Sequence, residues 1–154
     1  MWQGEVVGLF LAAEARQPMR AAQQVRLVAG EGVDGDRYSD AGTWSRKQGP
    51  QRQVTLIESE ALEAARRDHG LSLEPADTRR NVVTAGVALN HLVGRTFVAG
   101  AATLRGLKLC EPCSHMERLC GKTGAARALV HRGGLNAEVL TGGRLRVGDP
   151  IRPA

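Results

Sequence analysis

The 154 residues can bury the core of one domain, 1–154, without staples or metals and leave no length for a second. Lysine and arginine outnumber aspartate and glutamate by 21 to 16, a formal net charge of +5, and nearly all the cations are arginines. Aromatic residues are only 3% of the chain and the basic residues are scattered, so a nucleic-acid binder is disfavoured.

Arginine grips phosphate in a bidentate fork, so an anionic ligand suits this balance, although genome base composition alone is enough to raise arginine. The opening Met1–Glu5 lacks a basic segment followed by an apolar core, so the three cysteines are expected in a reducing, cytoplasmic compartment. The longest apolar stretch, Val6 to Ala13, is broken by Gly8 and too short to cross a membrane, so no membrane association is expected.

In chain order, Glu5–Leu11 reads as a strand and Gln24–Ala29 as a second. Gly30 to Pro50 is polar and glycine-studded, long enough for a functional loop, and ends at a strand over Gln51–Ile57. Ser59–His69 has helical spacing at Ala61, Leu62 and Ala65, with Gly70 as a left-handed stop. Past Pro75, Asn81–Thr84 is strand-like and Gly86–Leu92 a short strand or turn. Thr96–Val98 and Ala101–Leu109 are predicted to pair across Ala99-Gly100. A short helix is predicted over Ala125–Val130, then a closing hairpin about Thr141-Gly142-Gly143 and a turn at Val147-Gly148-Asp149. Many short strands between glycine turns predict a barrel or sandwich carrying a few helices.

Four segments carry chemistry. Gly32-Val33-Asp34-Gly35-Asp36-Arg37-Tyr38 is either a tight turn or a bend that brings backbone amides and Arg37 to an anion. Asp77–Asn81 is read as entering a strand, where period two puts Arg79 and Asn81 on one face and leaves Arg80 as a structural or outer-face residue; surface charge is the equal alternative. In Cys110-Glu111-Pro112-Cys113, Cys113 stands where a strand gives way to a loop, which exposes a thiol for metal ligation or sulfur carriage. A zinc set completed by His115 and Cys120 is a minor alternative, and Cys120 is expected to be buried as an apolar residue. His131-Arg132-Gly133-Gly134 ends a helix, and Arg132 would add a cation to an anion pocket formed by the earlier loops.

Taken in order, these pieces resemble the MOSC domain, the family of molybdenum cofactor sulfurase C-terminal-like proteins, in a compact standalone form. The likeness spans essentially the whole chain and rests on Gly35–Tyr38, Gln53–Ile57 with Glu58 and Glu60, Arg79–Val83, Leu92-Val93-Gly94, Cys110–Cys113, Arg132-Gly133-Gly134 and Val147–Pro150. The resemblance implies a mainly β protein, a MOSC-like β-barrel with a few short peripheral α-helices, binding a molybdenum cofactor (molybdopterin). It implies that Cys113 is the metal ligand or sulfur acceptor, that Arg79 and Asn81 are the cofactor-holding Arg-x-Asn pair, and that Arg37 belongs to the anion-binding loop.

Two activities follow from the resemblance. Cys113 would either carry sulfur from a separate cysteine desulfurase to a metal centre, or ligate molybdenum during reduction of a small N-hydroxylated substrate. No ferredoxin-type cysteine set and no pyridoxal phosphate domain are recognisable, so an external electron-transfer protein or a desulfurase partner would be needed. A non-catalytic binding or carrier module for the cofactor or another anionic metabolite is the alternative from a different class.

Overall fold

The computed structural model describes residues 1–39 and 52–154. The second half of the predicted Gly30–Pro50 loop, with Gln51 of the next predicted strand, lies outside the described residues. Among the described residues the strands are β1 (Gly4–Leu11), β2 (Arg20–Ala22), β3 (Gln24–Val28), β4 (Gly32–Val33), β5 (Val54–Glu58), β6 (Val82–Ala85), β7 (Thr96–Ala99), β8 (Ala102–Leu109), β9 (Leu135–Thr141), β10 (Gly143–Arg146) and β11 (Pro150–Pro153). Helices α1 (Ser59–His69), α2 (Ser114–Cys120) and α3 (Ala125–Ala128) are short.

Strands β11-β7-β8-β9-β5-β6-β1 form a sheet that closes on itself through β1 and β11, a seven-stranded barrel with β2 appended to β1. The expected mainly β barrel with a few short helices is what the chain forms. Its ladders are antiparallel except β5–β6, where Leu56, Ile57 and Glu58 run parallel to Val82, Val83 and Thr84 and α1 makes the crossover. Strand β1 alternates between the interior, with Val6, Leu9 and Leu11 buried, and the exposed Glu5 and Val7. Strand β5 does not alternate. Val54 and Leu56 join the barrel interior with Phe97 and Leu104, while Ile57 joins Ala61, Ala65, Met116 and Leu129 beneath the helices. A strand covered on both faces reads as a continuous apolar run, which is how Val54-Thr55-Leu56-Ile57 reads.

Helix α1 has the predicted bounds, and Gly70 ends it in the left-handed conformation at φ 63°, its N–H returning to the helix. The predicted Thr96–Leu109 pairing is present, with Phe97 opposite Leu104.

Three expectations are corrected. The chain after β9 does not fold back as a hairpin: β10 pairs with β3 in a separate three-stranded sheet, with Leu145 opposite Val25. Burial decides this, because Val25, Leu27 and Leu145 together close the barrel interior. Residues 79 and 81 are not on one strand face, because β6 begins at Val82. Pro75 and the reciprocal Glu74–Asp77 capping box instead nucleate a 3-10 turn over Pro75–Thr78, which ends on Arg79 in the left-handed conformation. The stretch after Cys113, read for its metal ligands, is helix α2, closed by Gly121 and braced by Glu117, whose Oε1 accepts the Gly124 and Ala126 N–H groups at 3.1 Å each.

Candidate functional site around Cys113

Strand β8 ends at Leu109, and Cys110 is still held to the barrel, its N–H donating to the Gly134 carbonyl at 2.7 Å. Cys110 is buried and Cys113 is exposed, so the two thiols of the Cys-x-x-Cys differ in access. The segment lies directly over the double glycine: a Cβ on Gly133 would collide with the Cys110 carbonyl oxygen and the Pro112 ring. Arg80 ties these strands of chain together. Its buried guanidinium donates from Nε to Gly133 O at 2.7 Å, from Nη1 to Thr78 O at 3.2 Å and from Nη2 to Cys110 O at 3.0 Å. Of the two roles the sequence left open for Arg80, the structural one holds; it is a buried brace, not an outer-face residue.

Arg37 is almost completely buried. It ion-pairs with Asp36 at 3.0 Å, stacks on the Tyr38 ring at 4.1 Å and donates to the Arg79 carbonyl at 3.2 Å. Asp36 also accepts the Ala12 N–H at 3.0 Å and the Tyr38 N–H at 3.2 Å, so both oxygens of the buried carboxylate are hydrogen-bonded. Arg79 stands on Arg37 and spends Nη1 on the Gln17 carbonyl at 2.7 Å, while its remaining N–H groups have no partner among the described residues. Burial, and then the neighbouring Arg37 charge, pull the Arg79 pKa down.

Asn81 is part of the frame. Its Oδ1 accepts from Thr55 N at 3.1 Å and Thr55 Oγ1 at 3.2 Å, and its Nδ2 donates to Phe10 O at 3.1 Å. The amide therefore joins β1, β5 and the start of β6 directly behind Arg79.

Charge converges on the start of α2. Burial pushes the His115 imidazole below its usual pKa, and Arg118, Arg79, Arg16 and Arg37 add to that push. Cys113 is the residue before this helix and His115 its second residue, so the exposed thiol stands two positions along the chain from that imidazole. Arg16 and Arg118 were not among the residues singled out in the sequence. Arg118 lies four residues from Ser114, and its Nη1 donates to Ser114 Oγ at 3.4 Å, a helical spacing that would have flagged it had the helix been recognised. Arg16 carries no such signal.

Arg132 is placed elsewhere. It is exposed and lines a cavity with Glu58 and His91, and it is not among the arginines acting on His115. Cys120 packs partly buried against the core beneath the helices. Among the described residues no group of three or more His, Cys, Asp or Glu is arranged to hold a metal ion, so the zinc alternative gains no support. Left-handed backbone on residues other than glycine costs free energy and clusters at functional sites. Here it occurs at Arg16, Arg79 and His131, two in the arginine cluster and one on the cavity of Arg132.

The class is defined by the fold: a small, mainly β protein whose seven-stranded sheet closes into a barrel and carries short helices. The MOSC domain profile matches residues 44–152, and the chain belongs to the MOSC domain family. In fold it is similar to the YUAD protein from Bacillus subtilis, with a TM-score of 0.79 at 18% identity over 98% of this chain and 97% of that one. It is also similar to YiiM from Geobacillus stearothermophilus (TM-score 0.72, 15% identity, 98% and 75% of the chains) and YiiM from Escherichia coli (0.69, 17%, 97% and 69%). No curated protein matches by sequence. Among the described residues no helix is long and apolar enough to cross a membrane.

Proposed function

We propose that the arginine cluster at Cys113 binds the phosphate of a molybdopterin-type cofactor, with Cys113 as the metal ligand or as the acceptor of sulfur. The observation that carries the reading is the pairing of Arg37 with the Arg79 backbone, with the Arg79 side chain making only one hydrogen bond among the described residues, within electrostatic reach of His115 and, two positions from it, an exposed thiol. The donor set fits such a group. The Arg79 N–H groups that have no partner among the described residues suit a phosphate oxygen, Arg37 and Asp36 hold Arg79 from behind, and a soft thiolate suits a soft metal. Asn81 keeps the Arg79 backbone in register with β5.

When bound, the cofactor would supply a redox-active metal able to exchange oxygen or sulfur. The chain's own part is to neutralise the phosphate, hold the thiol outward and keep Cys110 sequestered behind it. Exposure of Cys113 suits a reaction that needs a second protein, either a cysteine desulfurase that leaves sulfur on the thiol or an electron-transfer protein that supports a reductase. Three unpaired thiols agree with a reducing, cytoplasmic setting.

The test is the molybdenum and pterin content of protein purified from a host that makes the cofactor. Near-stoichiometric metal and pterin are expected in the wild type, with metal lost in Cys113→Ser and pterin weakened in Arg79→Ala. Wild-type protein free of both from a competent host would reject the reading in favour of another anionic ligand.

A further inference from the structure

A cavity of about 420 Å³ opens where β5 runs into α1, within the size range of small-molecule sites. Glu58 forms one wall, Arg132, from the segment after α3, forms another, and Ala61 and Ala64 of α1 contribute apolar surface. Its other charged groups are committed: Glu60 accepts from Ser59 Oγ at 2.9 Å and Gly86 N at 2.8 Å, and Arg67 is paired with Asp68 at 2.8 Å. Glu58 and Arg132 are not. Glu58 spends only Oε2, on the Leu89 N–H at 3.1 Å, and Arg132 makes no side-chain hydrogen bond among the described residues.

The two opposite charges influence one another, because Arg132 and His91 both act on the Glu58 carboxyl, yet the pair is not within the 4.0 Å of an ion pair. A half-buried carboxylate and a guanidinium thus border one small-molecule-sized cavity without closing it. The backbone presenting the cation is itself held in an unfavourable shape, with His131 at φ 61°.

We propose that this cavity binds a small zwitterion of the amino-acid class, its ammonium group on Glu58 and its carboxylate on Arg132. A lone anion would pair only Arg132 and a lone cation only Glu58, whereas a zwitterion pairs both on one molecule. Cys113, Arg37 and Arg79 do not line this cavity, so the site stands apart from the proposed cofactor site.

The test is calorimetric titration of the full chain with L-glutamine, acetate and methylamine, using wild type, Glu58→Gln, Arg132→Gln and Cys113→Ser. L-Glutamine is expected to bind at least tenfold more tightly than either single-charge probe, to lose at least tenfold in both cavity variants, and to keep its affinity in Cys113→Ser. No glutamine binding at millimolar concentration, equal binding of acetate, or unchanged affinity in Arg132→Gln would overturn the proposal. Arg132 is exposed, so that variant remains informative even where Glu58→Gln folds poorly.

Discussion

The Nη2 group of Arg80 donates to the carbonyl oxygen of Cys110 at 3.0 Å, so a buried guanidinium fixes the backbone just ahead of the exposed Cys113. The same side chain holds Gly133, and the double glycine gives it room by letting the two loops touch. Among the described residues Arg80 is paired with no carboxylate; the carbonyl oxygens of Gly133, Thr78 and Cys110 solvate its charge.

Arg80→Met should therefore be costly. It strands the carbonyls of Gly133 and Cys110 without donors, a loss on the order of 3 kcal/mol, and loosens the segment that covers Cys110. Urea denaturation should show the lost stability, and a thiol reagent should modify Cys110 faster than in the wild type. Arg80→Lys should recover only part, because an ammonium cannot reproduce the fork. A Met variant within about 0.5 kcal/mol of wild type would show that the brace is not needed.

At Arg79 the backbone and side chain separate cleanly. The residue sits at φ 60°, where a Cβ is unfavourable, so Arg79→Gly should be more stable than Arg79→Ala by about 1 kcal/mol although both delete the same guanidinium. Both variants should lose the anion affinity proposed for the site. Chemical denaturation of the two side by side decides it: equal stabilities would mean that the left-handed backbone stores no strain.

Glu58 predicts a pH dependence whose sign can be worked out. Burial raises its carboxyl pKa, outweighing the Leu89 N–H bond that lowers it. The folded state therefore holds this proton more tightly than the unfolded chain does. That contribution is fully present below the unfolded carboxylate value of about 4.3 and is lost as pH rises through the raised folded value. The stability of wild type relative to Glu58→Gln should fall as pH is raised from about 4.5 towards neutrality. Parallel denaturation series on the two proteins measure it, and a difference that grows in the wild type's favour over that interval would contradict the assignment.

Local features were legible. Apolar runs marked β1, the turn at Ala99-Gly100 marked the β7–β8 pair, apolar spacing with Gly70 marked α1, and the strand-to-loop change marked Cys113 as an exposed thiol. Helix α2 was missed because its residues also read as metal ligands, and no local pattern distinguishes a histidine on a short helix from one on a loop.

Amino-acid order by itself determined most of the barrel's strands (though not the closing β11), the family resemblance and which residue types were available: many arginines, few aromatics and a Cys-x-x-Cys. Only the tertiary structure decided how they were used. It brought Arg16, Arg37, Arg79 and Arg118 from separate segments within electrostatic reach of His115, set Arg132 and Glu58 on one cavity, and buried Arg80 as a brace. The reason is physical. A guanidinium acts at the end of a long side chain, so its role depends on which carbonyls, charges and cavities the closed barrel brings within reach, and those partners lie tens of residues away along the chain.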